Sequence, residues 1–286
     1  MTASRRDRPG PSAPHGDTPP DVRAPTWGRR QDTSPWYDSF PWWMVLVGLI
    51  LAWMGALIIW DEGYNTAFDR IIPGLWLTIR ATLWSFFIAC AIGLVVGLAR
   101  TSRSVIARNL ARTYVEFIRG IPILVLIFTI ALVVVPEVSD ALGRPNSISP
   151  EWRAISALAL IYGGYIAEIF RAGIQAVDRG QIEAGRSLGL TRRQTTRSVV
   201  LPQAIRAVVP PLGNDFIAIL KDTSLLSVLG VLELTLRARQ YASGSFKFRD
   251  SDLALSFIYL SLTVVLSLML PMVEKRLNPD QQGGRP

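Results

Sequence analysis

Three long stretches without a charged residue constrain what this chain can fold into. Residues 41–60, 81–99 and 253–273 contain no Asp, Glu, Lys or Arg. At about 1.5 Å of rise per residue, a helix of about 20 residues crosses the roughly 30 Å hydrocarbon core of a bilayer. A soluble protein can bury one such helix in its core, but three of them favour a membrane protein. The sequence therefore predicts an all-α, multi-span membrane protein.

The chemistry of the remaining residues favours a protein that is not an enzyme. The single Cys, Cys90, lies within an apolar run, where a thiol is most often a small packing residue. The single His, His15, lies in the N-terminal tail, so it offers the apolar part of the chain no metal or catalytic site. No Lys follows a glycine-rich phosphate loop, which predicts that the chain has no ATP-binding loop of its own. We therefore expect no catalytic residue, no metal site and no cofactor in this chain.

The first apolar run and the net charge each suggest an alternative that other features disfavour. The run begins far from the N-terminus, is too long for the apolar region of a signal peptide, and is followed by no small-residue cleavage site. We therefore expect it to remain as a membrane helix. The formal net charge of +8 is compatible with a nucleic-acid partner. The Arg residues, however, lie at the ends of apolar runs, where they set the orientation of membrane helices.

The hydropathy pattern predicts six spans, at about 42–60, 72–99, 113–136, 152–171, 207–232 and 253–273. The fifth is expected to be broken, because Lys221 and Asp222 separate its two apolar halves. The first forty or so residues are rich in Pro, Ser, Gly, Asp and Arg and are expected to be disordered. The predicted organisation is thus a disordered tail, an extra membrane helix with its external loop, a main membrane domain and a second tail, at 1–40, 41–71, 72–277 and 278–286.

The distribution of Arg predicts that both termini are cytoplasmic. Cytoplasmic loops carry an excess of Lys and Arg. The loops after the second and fourth predicted spans are rich in Arg, and the tail after the sixth span contains both Lys and Arg. The loops after the first and third spans carry mostly Asp and Glu and are expected outside. One external loop disagrees with the rule, since residues 235–252 contain four cations, Arg237, Arg239, Lys247 and Arg249.

Between the fourth and fifth spans lies a charged segment, residues 181–202, QIEAGRSLGLTRRQTTRSVVLP. Its pattern predicts two short helices. The first covers about 180–188 and ends at Gly189, since Gly tolerates the left-handed turn at a helix C-terminus. The second begins at Thr191, with Gln194 at the capping-box spacing, and is expected to end or kink at Pro202. Such a capped pair favours a docking element, and the alternative is an amphipathic helix held at the membrane surface by its Arg residues.

The charged segment resembles the EAA motif of bacterial ABC-type importer permeases. In that pattern Glu-Ala-Ala is followed by Gly after three residues, and by Ile, any residue, Leu and Pro after nine more. This chain matches the motif, with Gly for the second Ala and Val for Ile, at Glu183, Ala184, Gly185, Gly189, Val199, Leu201 and Pro202. These residues are the expected ATPase-coupling site. Gly in place of Ala is expected to loosen the first helix by up to ~1 kcal/mol.

The resemblance to polar amino-acid permeases of this class extends over roughly residues 74–277. It implies a five-helix permease core, here with one additional N-terminal helix, and a cytoplasmic coupling-helix pair. It also implies the permease subunit of an ATP-driven importer of polar amino acids in the cell membrane. The implied partners are ABC ATPase subunits that use ATP and Mg²⁺, a second identical or homologous permease subunit, and an extracytoplasmic binding protein. The implied partners also include a polar amino acid as the substrate and the lipid bilayer, but not nucleic acid.

Charges within the predicted spans are candidates for the substrate path. A charge in a membrane helix costs about 2.5 kcal/mol or more, so it usually faces a cavity or a partner. The candidates are Glu168, Asp215, Lys221 and Asp222. A cavity holding both signs suits an amino acid, which carries an ammonium and a carboxylate. Two structural alternatives stay open: Glu168 pairs with Arg171 one turn away, or Lys221 and Asp222 satisfy each other.

Two alternative functions remain from the sequence. The first is a permease of the same ATP-driven class for another solute, such as methionine or a quaternary amine. The second is an ion-coupled secondary transporter, which would need no ATPase. No internal repeat is apparent, and this disfavours the second alternative because many secondary transporters are built from inverted repeats.

Overall fold

The structure, a computed structural model, describes residues 42–144 and 147–277, with side chains described as far as Glu274. The tails predicted at 1–40 and 278–286 therefore lie outside the described residues. The chain divides into two units, 1–46 and 47–286. Of the first unit, only the beginning of one helix lies within the described residues. The helix packing described in the following paragraphs is that of the second unit.

The described chain is built of helices joined by short turns. In order they are α1 (Trp42–Trp60), α2 (Glu62–Ile71), α3 (Leu75–Arg100), α4 (Val105–Gly120), α5 (Ile123–Ala141), α6 (Pro150–Gln175), α7 (Arg179–Ser187), α8 (Arg192–Thr195), α9 (Leu201–Asp222), α10 (Leu234–Ser245) and α11 (Phe248–Leu277). The non-α turns are Ile72–Gly74 before α3, Ile130–Val134 within α5, Thr196–Val200 between α8 and α9, and Thr223–Leu229 after α9. These elements confirm the all-α class.

Among the described residues, five helical stretches are long and apolar enough to cross a membrane: α1, α2 continued into α3, α5, α6 and α11. The remaining predicted span corresponds to α9, which has 22 residues, also enough for a crossing. Its hydropathy is lowered by four charged residues, Arg206, Asp215, Lys221 and Asp222. The chain is a multi-pass membrane protein, and the count of six spans stays a prediction.

The predicted third span, 113–136, is two helices in the structure. Helix α4 ends at Gly120, and Ile121 is extended, with φ −113° and ψ 139°. The cause is Pro122, because the ring of a proline disfavours helical backbone in the residue before it. Helix α4 buries only one stripe, Ala111, Val115 and Ile118, as an amphipathic helix does. The apolar stretch that can cross the membrane therefore begins after Pro122, at α5.

Helices α3 and α6 form the centre of the core and run parallel. They approach closely because glycines face the opposing helix. A Cβ placed on Gly93 would lie 2.6 Å from Ile166 Cγ2, and one on Gly97 would lie 2.9 Å from the Ala167 carbonyl oxygen. From the other side, a Cβ on Gly163 would lie 2.7 Å from a methyl carbon of Ile92. The spacing of Gly93 and Gly97 is that of a small-residue contact face, and its partner is α6.

The two ends of the α3–α6 pair carry different elements. At the beginning of α3, the Leu234 amide of α10 donates a hydrogen bond to Thr78 Oγ1, 3.3 Å away. There α2, α10 and the first half of α11 share a small core of Ala67, Ile71, Leu234, Ala238, Ala254 and Ile258. At the other end, α7 and α8 follow the last turn of α6. The charged segment and the α2–α10 surface therefore lie at opposite ends of the α3–α6 pair.

The close α3–α6 contact predicts a strong effect of Gly93→Val. The added atoms would collide with Ile166 and the Ala167 backbone, and overpacking of this kind typically costs about 1–3 kcal/mol. We expect a lower temperature of unfolding in detergent, measured by loss of the monodisperse peak in size-exclusion chromatography. Gly48→Val is the matched control, because no atom lies within 4 Å of a Cβ at Gly48. Equal stability of the two variants would contradict this packing.

Candidate functional site

The first helix of the charged segment is α7, which closely matches the predicted 180–188. Asp178 caps its N-terminus, since Asp178 Oδ1 accepts a hydrogen bond of 2.6 Å from the Gly180 amide. The helix ends at Ser187, and Gly189 has a φ of +82°. This left-handed backbone is the conformation that Gly adopts without a steric penalty. The predicted role of Gly189 as the helix terminator is confirmed.

The second helix begins at Thr191 with a complete capping box. The Thr191 amide donates to Gln194 Oε1 at 2.9 Å, and the Gln194 amide donates to Thr191 Oγ1 at 3.4 Å. These reciprocal bonds satisfy amides that a free helix end would leave without partners. The predicted cap is confirmed, and with Gly189 it fixes how the chain turns between the two helices.

Pro202 does not end the second helix, which was one of the two outcomes that the sequence predicted. Helix α8 continues through the π turn Thr196–Val200 into α9, and Pro202 occupies the first turn of α9. A π turn holds one extra residue, and the Leu201 amide bonds back to the Thr196 carbonyl. Pro is tolerated in a first helical turn because its missing N–H removes little there. The second short helix is therefore continuous with the long helix α9.

The two helices of the charged segment pack against each other at Gly185. Gly185 is buried, and a Cβ there would lie 3.5 Å from Leu190 and Thr195 side chains and 3.7 Å from Val199. These are ordinary van der Waals distances, so the Ala of the family motif would fit at this position. The departure at Gly185 thus leaves the crossing of the helices unchanged. Val199 is one of the motif residues that line this crossing.

The outer surface of the charged segment mixes charge with exposed apolar side chains. Glu183 and Ala184 are exposed on α7. Leu188 is 83% exposed and Leu201 is 50% exposed. Beside them lies a shallow cleft lined by Arg192, Arg193, Thr196, Arg197 and Leu201. Exposed apolar side chains rimmed by charges are typical of a surface that binds another protein.

Glu168 is neutralised by two arginines at the end of α6 nearest α7. Its carboxylate accepts a 3.0 Å hydrogen bond from Arg171 Nε and forms ion pairs with Arg171 and Arg100. Arg100 is the last residue of α3, so the cluster joins the ends of α3 and α6. The sequence pointed to Arg171 but missed Arg100, whose partner is distant in the chain. This geometry favours the structural alternative, while a role of Glu168 in the substrate path stays a prediction.

Asp222 and Lys221 lie where α9 ends, near the place where the break was predicted. Asp222 accepts a hydrogen bond of 2.8 Å from the Tyr162 hydroxyl of α6. Lys221 is exposed and forms no direct ion pair with Asp222, whose carboxylate is bonded to Tyr162 instead. Sequence reasoning did not single out Tyr162, because nothing local marks it as the partner of a carboxylate.

Asp215 differs from the other candidates because half of its carboxylate has no partner. The Oδ2 atom is buried and makes no hydrogen bond to any described residue. Asp215 lies within α9, near enough to Cys90 of α3 and Tyr162 of α6 to interact with them electrostatically. A buried carboxylate oxygen without a donor is unfavourable, so Asp215 is the candidate that retains an unused acceptor. The described residues contain no cluster of His, Cys, Asp and Glu that could hold a metal ion.

Comparison with known proteins places most of this architecture in one family. The model of the family described as "Binding-protein-dependent transport system inner membrane component" matches residues 89–279. The "Probable amino-acid permease protein YxeN" of Bacillus subtilis is 35% identical over 213 residues, which cover 74% of this chain and 93% of that protein. The "Glutamine transport system permease protein GlnP" of Escherichia coli is 39% identical over 210 residues, which cover 72% and 94%.

Solved structures of ABC transporters also match this chain. The crystal structure of an amino acid ABC transporter with histidines matches with a TM-score of 0.65 and 36% identity, covering 73% of this chain and 94% of that one. An inward-facing structure of the methionine ABC transporter MetNI matches with a TM-score of 0.60 at 23% identity, covering 72% and 95%. The second likeness concerns the fold alone.

Proposed function

We propose, because the chain belongs to the family of binding-protein-dependent transport system inner membrane components, that it is the permease subunit of an ATP-driven importer of polar amino acids. One observation carries the proposal furthest. The motif residues form a capped, tightly crossed helix pair that presents Glu183, Ala184 and Leu188 on its outer surface. A helix pair of fixed geometry with an exposed apolar residue at its tip fits a groove on a partner protein.

The partner at this surface is an ABC ATPase subunit, which supplies the nucleotide chemistry. ATP and Mg²⁺ are used by that subunit, and this chain contributes no cofactor and no catalytic group. Because α8 continues into α9, a displacement of the docked helices moves α9 directly. Such a continuous helix transmits closure of the ATPase to the membrane helices, which switch between two packings.

The substrate proposal rests on the relatives and on the membrane-embedded charges. One relative is named for glutamine transport and another as an amino-acid permease. Asp215 and Asp222 offer acceptors for an ammonium group, and Lys221 offers a donor for a carboxylate. We assign the first contact with the ammonium group to Asp215, since its Oδ2 atom is buried without a partner. Glu168 is the less favoured candidate for this contact, because two arginines already neutralise its carboxylate.

Orientation and assembly complete the proposal. Helices α3 and α6 run parallel, and this agrees with the predicted topology, in which both run from outside to inside. The charged segment is then cytoplasmic, α2 and α10 are outside, and both termini are cytoplasmic. The importer contains a second permease subunit, identical or homologous, and an extracytoplasmic binding protein that delivers the amino acid. The permease domain covers 72–277, preceded by the N-terminal helix and loop at 41–71.

The docking role of the charged segment predicts that Gly189→Val uncouples the permease from its ATPase. A β-branched residue at a φ of +82° is strained by ~1–2 kcal/mol and would change the angle between α7 and α8. Glu183→Lys reverses a charge on the exposed face of α7. Both variants should reach normal membrane abundance, yet retain less ATPase in a pull-down and show weaker substrate-stimulated hydrolysis.

The control for Glu183→Lys is Glu62→Lys, a charge reversal at an exposed residue on the opposite end of the protein. This variant should retain the ATPase like the wild type. If Gly189→Val and Glu183→Lys also retain normal association and stimulation, the segment is an interfacial helix and its docking role is wrong.

Asp215 and Glu168 are expected to respond differently to removal of their charge. Asp215→Asn breaks no bond at Oδ2 and relieves a buried charge, so stability should be kept or raised, while uptake of labelled amino acid into proteoliposomes falls about tenfold. Glu168→Gln leaves two arginines without their counter-charge and should lower stability by about 1–3 kcal/mol. Normal uptake by Asp215→Asn would remove Asp215 from the substrate path.

The proposed topology predicts which positions are open to a thiol reagent that does not cross the membrane. In a Cys90→Ala background, a Cys at Asn146 should be labelled in intact cells, because the α5–α6 loop is outside. A Cys at Arg192 should be labelled only after the membrane is opened. Labelling of position 192 in intact cells would invert the topology.

A further inference from the structure

A polar cleft lies between α2 and α10, at the end of the protein opposite the charged segment. Its volume is about 360 Å³, and it is lined by Thr66 and Arg70 of α2 and by Arg237, Gln240, Tyr241 and Ser245 of α10. Its side chains are hydroxyls, an amide and two guanidinium groups, and no carboxylate lines it. The chemistry of the cleft is therefore that of an anion site.

The two guanidinium groups have no partner of opposite charge in the part of the chain that the structure describes. Arg70 and Arg237 form no ion pair with any described residue. The Nε atom of Arg237 is buried and has no hydrogen-bond acceptor. A buried N–H without an acceptor is unfavourable, and the few such groups in a folded protein call for a specific explanation. An incoming oxygen anion would supply the missing acceptor.

Packing fixes the stem of Arg237 before any ligand arrives. A Cβ on Gly74 would lie 3.0 Å from Arg237 Cδ, so the aliphatic stem lies directly on the backbone before α3. Glu233 caps α10 one turn earlier, with its two carboxylate oxygens accepting bonds of 2.8 Å from the Thr235 and Leu236 amides. A guanidinium on an immobilised stem loses less entropy when it binds a carboxylate.

The charges around the cleft also explain the one loop that disagrees with the orientation rule. The loop with Arg237, Arg239, Lys247 and Arg249 lies outside in the proposed topology. Basic residues on the external side oppose the usual bias of membrane insertion. A requirement for positive charge at this surface, set by an anionic partner, accounts for their presence there.

We propose that this cleft receives an acidic side chain of the extracytoplasmic binding protein and so docks the loaded binding protein on the permease. The inference rests on the proposed function, which places α2 and α10 outside. The planar fork of Arg matches a carboxylate with two parallel hydrogen bonds. A binding protein must contact the external face to deliver its cargo, and the surrounding Arg and Lys residues attract an acidic face over a longer range.

The test uses the assembled importer, with its ATPase, in nanodiscs of neutral phosphatidylcholine. The probe is the extracytoplasmic binding protein of the proposed importer, and the measurement is the concentration that half-maximally stimulates ATP hydrolysis. The double variant Arg70→Gln/Arg237→Gln should raise that concentration about tenfold and weaken its dependence on salt. If the double variant is poorly folded, Arg70→Gln alone carries the test, since Arg70 is exposed.

The matched control is Arg239→Gln/Arg249→Gln, which removes two exposed charges from the same face but outside the cleft. Because these exposed charges act only over a longer range, at an ionic strength that screens them the control should stay within about twofold of the wild type, while the cleft variant stays about tenfold weaker. A charge swap identifies the partner side chain. Variants of the binding protein, each with one surface carboxylate changed to Lys, are tested against the permease variant Arg237→Glu, and the variant that restores affinity carries the partner residue.

Three results would overturn the proposal: a wild-type concentration for the cleft variants, an equal effect of the control pair, or an effect that appears only when anionic phospholipid is added. The last would assign the cleft to a lipid phosphate. These results leave the proposed function intact. Failure of the ATPase to associate with the wild-type chain is the separate result that would contradict the proposed function itself.

Discussion

The glycine-mediated contact between α3 and α6 is the constraint on which the positions of the other elements depend. Because Gly93, Gly97 and Gly163 have no side chain, the two helices touch backbone to side chain along much of their length. Their parallel orientation places Arg80 beside Glu151 at one end and Arg100 beside Glu168 at the other. Ion pairs at both ends of a tight contact hold the two helices in register as one body.

The register of that pair determines which membrane charges have partners. Glu168 lies where α3 ends, and so it meets Arg100. Asp222 lies beside the middle of α6 and meets Tyr162. Asp215 faces the same pair but meets no donor at its buried oxygen. Three carboxylates of the same kind thus differ in their partners because of their position against α3 and α6, a difference that hydropathy does not show.

The sequence predicted the features that depend on neighbouring residues. Gly189, Thr191 and Gln194 could be assigned because a left-handed turn and a capping box need only a few adjacent positions. Pro122 was also a local signal for a break in the helix, but the long apolar stretch around Pro122 led to the prediction of a single span. The passage of the helix through Pro202 could not be predicted, because a π turn upstream absorbs the conflict.

The tertiary partners of these residues could not be predicted from the sequence, for a different reason. Arg100 and Glu168, or Tyr162 and Asp222, are brought together by helix packing between distant parts of the chain. The Arg237 cleft is similar, since its arginines come from α2 and α10. Only the excess of positive charge in a loop predicted to be external pointed to it, and from the sequence alone that excess was an exception to the orientation rule.

The continuous helix from Thr191 to Asp222 suggests how the two ends of the molecule communicate. A flexible hinge at Pro202 would let the docked helices move while α9 stayed still. The π turn instead keeps the backbone hydrogen-bonded from α8 into α9. Asp215 and Asp222 lie on that same helix, so a displacement of the charged segment also moves these carboxylates against α3 and α6. The proposed coupling surface and the proposed substrate path are thus parts of one continuous helix, and Pro210 and Pro211 lie between them. In the proposed mechanism, a movement of the docked segment reaches Asp215 and Asp222 through this helix.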